Sequence, residues 1–388
     1  MFSERTNWRL AQNRFTQAVE EARSSGVKVL DLTASNPTRV GLEYDSAVIL
    51  GALGSQRALD YDPQAKGLRG AREAIAAYYR GEHGIRGLDA ERIVLTTSTS
   101  EGYSFVFRLL CNAGDELLVP KPSYPLFEFL ADLQDVKLAP YPLIYDHGWQ
   151  MDFPSMGKVV TERTRGVVVV HPNNPTGSYV HADEMEQLNG FCRTRGLALI
   201  VDEVFLDYRF KGQTRQSFAG NEEVLTFTLS GLSKISALPQ MKVAWVVTSG
   251  PAEQVEAAMG RLEVIADTYL SMNAPVQWAV PALLEQRRSI QRQLLGRVQK
   301  NLAELDRQLA GQQACRRLNV EGGWYAVLRV PVTRSDEELA ISLVQQKSVV
   351  VHPGHFYDFP RDGYVVLSLI TAEREFREGM RRVLEFLN

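Results

Sequence analysis

Three polar side chains each follow a short apolar run that has the composition of a buried β-strand. Asn174, Asp202 and Lys234 come after the runs at 166–170, 197–200 and 224–229, respectively. In a parallel α/β sheet, ligands bind just beyond the carboxyl ends of the strands. We therefore expect the three side chains to converge on one crevice.

An amine, a carboxylate and an amide in one crevice suit pyridoxal phosphate (PLP). The lysine amine can form a Schiff base with the cofactor aldehyde and later carry protons, and a buried carboxylate keeps the pyridine nitrogen protonated. Taken singly, Asn174 is also typical of a turn cap, Asp202 of a strand-end carboxylate and Lys234 of a surface charge. Their shared position after strands favours the cofactor interpretation.

From about Tyr61 to the C-terminus, the chain resembles the fold-type I PLP enzymes, specifically the class I and II aminotransferases. The most specific segments are Asn-Pro-Thr-Gly, Asp-Glu-Val and Ser-Lys, at 174–177, 202–204 and 233–234. The resemblance implies that Asn174 and Asp202 contact the cofactor ring and that Lys234 carries the Schiff base.

Further matches extend the resemblance. Tyr124 is similar to the aromatic residue that stacks on the cofactor ring, Tyr61 to the tyrosine that reaches the phosphate of a neighbouring subunit, and 322–324 (Gly-Gly-Trp) to a segment of the small domain. The segment 97–102 is similar to the phosphate-binding turn, which implies phosphate contacts from Ser98, Thr99 and Ser100. Its position between a strand-like and a helix-like stretch also directs free N–H groups at an anion. The alternatives are an ordinary helix cap for the turn, a core aromatic for Tyr124 and a surface residue for Tyr61.

The chain departs from the family pattern at three positions around the cofactor. Phe205 replaces the usual tyrosine that donates to the phenolic oxygen, and Lys242 replaces an arginine that clamps the phosphate with a planar fork. Gly231 stands where the family often has a phosphate-contacting serine, so we expect Ser230 and Ser233 to substitute. The resemblance therefore implies an altered phosphate site.

A fourth departure concerns the substrate. The family carries an arginine in a C-terminal strand that pairs with the substrate α-carboxylate, and Val366 occupies that position here. Arg39 is our first candidate for this task, because the corresponding segment in relatives closes over the active site; a solvated loop cation is the alternative. Arg361 and His355 are weaker candidates.

The elements that must position these residues alternate between strand-like and helix-like patterns from about 67 to 250. We predict an α/β fold: a large domain with a mostly parallel wound sheet flanked by helices, plus a smaller α+β domain. The predicted parts are an N-terminal arm with part of the small domain (1–50), a PLP-binding domain (51–285) and a small C-terminal domain (286–388). We also predict helices at 6–23, 68–80, 182–195 and 373–387, and a helical stretch from 276 to 309 interrupted near Pro281.

The composition of the chain argues against several classes of binding partner. A formal net charge of -3 without a basic run argues against nucleic acid or an anionic membrane as the main partner. The N-terminus lacks a signal-peptide core, and no apolar run has transmembrane length. Three widely spaced cysteines fit reduced thiols in the cytoplasm. We expect a cytoplasmic protein, and the resemblance implies a homodimer with shared active sites.

The function that the resemblance implies is transfer of an amino group from an amino acid to a 2-oxo acid through the Lys234 Schiff base. One alternative is another PLP enzyme, such as a lyase or an oxidative or cyclising enzyme of specialised metabolism. Another is a PLP-sensing regulator, which the lack of a basic helix-turn-helix extension disfavours. His352 and His355 flank a Pro-Gly turn without an evident third ligand, so no metal site is expected.

Overall fold

A central eight-stranded sheet organises the larger part of the protein, in the order β2-β9-β8-β7-β6-β3-β4-β5. The computed structural model describes residues 1–8, 10–210, 212 and 216–387. The strands of this sheet are β2 (Ile93–Thr96), β3 (Glu116–Lys121), β4 (Lys137–Tyr145), β5 (Trp149–Met151), β6 (Thr164–Val170), β7 (Ala198–Asp202), β8 (Thr226–Gly231) and β9 (Ala244–Ser249).

Neighbouring strands from β4 through β3, β6 and β7 to β8 pair in parallel. The strand direction reverses only near the two edges of the sheet: β9 runs antiparallel to both β8 and β2, and β5 runs antiparallel to β4. The central strands are covered on both faces and read as nearly continuous apolar runs, as Val167 to Val170 show. The predicted mostly parallel wound sheet is confirmed.

A second layer of structure forms around a smaller antiparallel sheet. Its order is β10-β11-β14-β13, with β10 (Arg316–Arg317), β11 (Tyr325–Arg329), β13 (His352–Pro353) and β14 (Tyr364–Ser368). The short strands β1 (Leu30–Asp31) and β12 (Val349–Val350) pair in parallel. This pairing ties the N-terminal segment to the C-terminal part of the chain. The predicted smaller α+β unit is present, while the domain boundaries at 50 and 285 remain predictions.

Helices cover the faces of both sheets. Those of the first half are α1 (Arg14–Ser24), α2 (Ser46–Leu53), α3 (Arg69–His83), α4 (Thr99–Leu110), α5 (Phe127–Asp132), α6 (Phe153–Val159) and α7 (Ala182–Arg195). Those of the second half are α8 (Leu232–Ile235), α9 (Ala252–Tyr269), α10 (Ala274–Glu285), α11 (Arg287–Leu309), α12 (Asp336–Lys347) and α13 (Glu373–Leu387). No described helix combines the length and the apolar composition that crossing a membrane requires.

Two predicted helices differ from the structure. The first begins at Arg14 rather than residue 6, because Asn13 caps it by accepting the Thr16 N–H at 2.7 Å. The stretch near 276–309 breaks at Gln286, where α10 ends, and Pro281 lies inside α10. Val280 and Leu283 on either side of this proline are fully buried, so packing holds the helix despite one missing N–H donor.

Candidate active site

A cavity of about 460 Å³ opens at the carboxyl ends of the central strands. Because β7 lies between β6 and β8, the residues that follow these strands become neighbours. Asn174, Asp202 and Lys234 all line the cavity, and Ser98, Thr99 and Ser100 line it from the start of α4. The expected convergence is therefore found in the structure.

The Lys234 side chain reaches the cavity from α8, a helix of four residues. Its Nζ lies 5.7 Å from the ring centroid of Phe205 and 5.1 Å from that of Trp324. Within the described part of the chain, Nζ makes no hydrogen bond or ion pair. Burial lowers the pKa of Lys234 to about 8, partly opposed by the Asp202 carboxylate. A large fraction of this amine is therefore neutral, and nucleophilic, at mildly alkaline pH.

The turn that carries Lys234 is too short to be stable alone, and side chains from distant elements hold its carbonyl groups. The Tyr208 hydroxyl donates to the Lys234 carbonyl at 2.6 Å, and the Gln291 amide donates to that of Ile235 at 2.9 Å. The Tyr44 hydroxyl donates to the Ala237 carbonyl at 2.9 Å. These bonds fix the backbone from which the amine projects.

The Asp202 carboxylate is held from two sides. Its Oδ1 accepts the Val204 N–H at 3.0 Å, and its Oδ2 accepts the Tyr103 hydroxyl at 3.1 Å. Burial raises the pKa of Asp202 to about 6, while Val204, Tyr103 and Lys234 stabilise the ionised form. The group is thus mainly a carboxylate at neutral pH.

The Asn174 amide is the clearest sign that the cavity is built for a polar ligand. Its side chain is only 9% exposed, and its Oδ1 has no hydrogen-bond partner among the described residues. A buried polar atom without a partner costs about 1–3 kcal/mol, which a bound polar group would recover. Together with a desolvated amine and a buried carboxylate, this free amide fits PLP.

The first turn of α4 offers the anion-binding groups. Ser98 is the N-cap, and its hydroxyl accepts the Glu101 N–H at 3.2 Å. The Thr99 and Ser100 N–H groups precede the first helical hydrogen bonds, so they are free for an anion. The Ser233 hydroxyl lies in the same cavity.

Aromatic side chains form much of the remaining wall. They are Tyr124, Phe127, Phe205, Tyr325, Phe356 and Tyr357. Phe205 packs edge-on against Trp324, at 5.2 Å between ring centroids. Trp324 lies two residues after Gly322. A Cβ at Gly322 would lie 2.6 Å from the Tyr208 carbonyl oxygen, so only glycine fits this approach.

Several predicted site residues lie outside this cavity. Ser230 is buried, and its hydroxyl donates to the Glu203 carbonyl at 3.5 Å. Lys242, Arg39, Arg361 and His355 are exposed and do not line the cavity. Tyr61 is 83% exposed and lines a separate cavity of about 490 Å³. The structure thus brings Ser233, but not Ser230, Lys242 or Arg39, to the cavity.

The sequence argument missed other lining or supporting residues. Ser35, Tyr325, His352 and Tyr357 line the cavity, and Tyr103 binds Asp202. Only Tyr103 had a usable signal: it lies four residues after Thr99, so a helix places both on one face. Among the described residues, no group of three or more side chains is placed to hold a metal ion.

Comparison with known proteins gives a consistent picture. The family model described as aminotransferase class I and II matches residues 27–375. The glutamate-pyruvate aminotransferase AlaA of Haemophilus influenzae is 26% identical over 373 residues, covering 94% of this chain and 91% of the relative. The alanine aminotransferase of Mycobacterium tuberculosis is 26% identical over 376 residues, covering 94% and 86%. The structure of alanine aminotransferase from Pyrococcus furiosus superposes with a TM-score of 0.90 at 21% identity, covering 100% of this chain and 99% of the other.

Proposed function

The chain belongs to the class I and II aminotransferases, which depend on PLP, and we propose that Lys234, Asp202 and Asn174 form the centre of its active site. The observation that carries this assignment is their meeting in one cavity, at the ends of three adjacent strands, with a desolvated amine and an unpartnered buried amide. The reaction we propose is transfer of an amino group from an amino acid to a 2-oxo acid.

Each residue has a task that follows from its surroundings. When bound, PLP supplies a ring that accepts the electron pair released from the substrate carbon. The Lys234 amine would hold the cofactor covalently, and its lowered pKa would let it both accept and release a proton at the substrate carbon. Asp202 would pair with the protonated ring nitrogen, and the Asn174 amide would contact the cofactor ring.

Other cavity residues position the cofactor. The free N–H groups of Thr99 and Ser100 and the hydroxyl groups of Ser98 and Ser233 bind the phosphate. Tyr124, which lines the cavity, would stack on the ring. The cation at residue 242 acts on the phosphate only if its side chain turns inward, since Lys242 is exposed.

We further propose a cytoplasmic homodimer in which Tyr61 reaches the phosphate in the partner subunit. The exposure of Tyr61 and its position beside a separate cavity support this role. The three cysteines, Cys111, Cys192 and Cys315, are free thiols, in keeping with a reducing compartment.

The test begins with borohydride reduction of the PLP-loaded protein, followed by peptide mapping. Label should appear on Lys234 and disappear in Lys234→Ala, while the exposed control Lys158→Ala keeps it. The loaded protein is then mixed with single amino acids, and the absorption of the cofactor should change to that of its amino form. Label on a different lysine, or no spectral change with any amino acid, would contradict the proposal.

Asp202→Asn supplies a second check. The amide keeps the size of the side chain but cannot hold the ring nitrogen protonated, so conversion of amino acids should fall by several orders of magnitude while the covalent link remains. Near-parental conversion would remove Asp202 from this task.

A further inference from the structure

An amino-acid substrate carries a carboxylate on the reacting carbon, and this cavity offers it few partners. Among the described residues that line the cavity, Lys234 is the only lysine or arginine, and the cofactor occupies its amine. Val366 is fully buried and has no polar atom on its side chain. Within the described part of this chain, the carboxylate is therefore left with neutral hydrogen-bond donors, and a hydrogen bond to a charged group is worth about 1.5–3 kcal/mol.

The register of the small sheet identifies the neighbour of Val366 inside the cavity. Val366 on β14 pairs directly with His352 on β13 and with Val327 on β11. Directly paired residues of antiparallel strands project on the same face of the sheet. His352 lines the cavity, so it is the polar side chain beside the position that the family gives to arginine.

The imidazole of His352 is held in a defined orientation. Its Nδ1 lies 2.8 Å from the Tyr357 hydroxyl, and Tyr357 is itself buried at the cavity wall. Burial lowers the pKa of His352 to about 4, so the ring is neutral at physiological pH. When Tyr357 donates to Nδ1, the ring proton resides on Nε2, and that N–H is left without a partner among the described residues.

We propose that His352, oriented by Tyr357, binds the substrate α-carboxylate through its Nε2–H in place of the arginine expected at residue 366. This assignment rests on the proposed transfer between amino and 2-oxo acids. The Tyr325 hydroxyl, on the neighbouring strand β11 and also in the cavity, is placed to add a second donor. His352 is therefore a specificity-determining residue: it selects ligands that carry a carboxylate.

Ligand pairs that differ only in the carboxylate test the assignment. With PLP-loaded protein, calorimetry gives the dissociation constants of 3-phenylpropionate and its neutral isostere 3-phenylpropanamide. We expect the parent protein to bind 3-phenylpropionate more tightly than the amide. His352→Leu should raise the dissociation constant of 3-phenylpropionate by roughly 10- to 100-fold, the range for losing a hydrogen bond to a charged group. Binding of the amide should weaken much less, because its neutral carbonyl oxygen is a weaker acceptor than a carboxylate. His352→Gln restores a donor near the Nε2 position and should recover part of the loss.

Reaction rates give a second measure. The spectral change of the bound cofactor is followed with L-phenylalanine and with 2-phenylethylamine, which lacks the carboxylate. His352→Leu should slow the reaction with the amino acid and leave the rate with the amine unchanged. Tyr357→Phe should have a smaller effect of the same kind. His355→Ala is the matched control, since His355 lies on the same turn but is exposed and outside the cavity.

Several outcomes would overturn the assignment: equal effects of His352→Leu on both members of a pair, no effect on either, or a carboxylate-specific loss in Arg39→Ala instead. The proposed reaction is judged separately. If no amino acid changes the cofactor spectrum but His352→Leu still weakens 3-phenylpropionate selectively, the carboxylate site stands and the reaction assignment fails.

Discussion

Replacing Gly231 by serine, the residue that the family often carries here, should damage this protein rather than improve its phosphate site. Gly231 ends β8 and lines the cavity three residues before Lys234. A Cβ at this position would lie 2.8 Å from the Val243 carbonyl oxygen and 2.9 Å from the Ala244 Cα and Cβ. The backbone is extended, with a φ of 177°, so the obstacle is space and not conformation.

The cost follows from the atoms that would have to move. Carbon atoms in contact normally lie about 3.5–4.0 Å apart, so the new Cβ overlaps the backbone of β9. That backbone cannot shift freely, because Gly231 pairs with Ala244 and the Leu232 N–H donates to the Val243 carbonyl at 3.0 Å. Overpacking costs about 1–3 kcal/mol, and a weakened hydrogen bond adds about 1 kcal/mol.

We therefore expect Gly231→Ser to destabilise the protein by about 2–4 kcal/mol, which corresponds to a fall in melting temperature of roughly 4–8 °C at about 2 °C per kcal/mol. PLP affinity should fall as well, because the displaced backbone carries Lys234. Differential scanning fluorimetry of apo and loaded protein, and a fluorescence titration with PLP, measure the two effects. Gly231→Ala should behave alike, since it adds the same Cβ.

Gly190 in α7 provides the matched control, because nothing lies within 4 Å of its added Cβ. Gly190→Ser should change stability by less than about 0.5 kcal/mol. If Gly231→Ser melts within a degree of the parent and binds PLP more tightly, the steric argument is wrong.

Three further predictions concern ionisation in the cavity. Phe205→Tyr should lower the pH at which the absorption of the lysine-bound cofactor changes, by about one unit if the new hydroxyl reaches the phenolic oxygen; an unchanged or higher pH would mean that it does not. Covalent capture of PLP by apo protein should accelerate as pH rises towards about 8, where the Lys234 amine becomes neutral, and a rate that rises only near pH 10 would refute this lowered pKa. Tyr103→Phe removes a donor to the Asp202 carboxylate. This loss favours the protonated form, so PLP binding by the apo protein, which needs the carboxylate, should fall off at a higher pH than in the parent, where the pKa of Asp202 is about 6; a shift to lower pH would contradict the hydrogen bond.

The meeting of Asn174, Asp202 and Lys234 in one cavity could be predicted from the sequence, because each of these residues follows a recognisable buried strand. Strand runs such as 166–170 and 224–229 are apolar enough to identify alone. Once the strands are taken as parallel, the rule that ligands bind beyond their carboxyl ends places Asn174, Asp202 and Lys234 together. The local sequence pattern and one rule of sheet topology are therefore enough to predict that these three residues lie together.

The supports of Lys234 could not be predicted in the same way. Tyr44 and Gln291 bind the carbonyl groups of its turn from 193 and 56 residues away along the chain. Neither residue belongs to a motif, and both hydroxyl and amide side chains are common on protein surfaces. Their contacts depend on how α11 and the N-terminal segment pack against the turn, which no local pattern contains.

The proposed role of His352 illustrates how a protein can lack a motif residue, here the arginine replaced by Val366, and still keep the function of that residue. In the sequence, the two positions are 14 residues apart and separated by a turn. From the sequence alone, His352 was considered only as a possible metal ligand. The antiparallel register makes them direct neighbours, so a function lost from one strand can be supplied by the next. Placing an arginine at 366 would bury a guanidinium between Val327 and an imidazole already bonded to Tyr357, at a desolvation cost of several kcal/mol without a bound carboxylate. We therefore expect Val366→Arg to weaken the fold without restoring carboxylate binding to His352→Leu, and full rescue in that double variant would show that the site still has the geometry for a guanidinium.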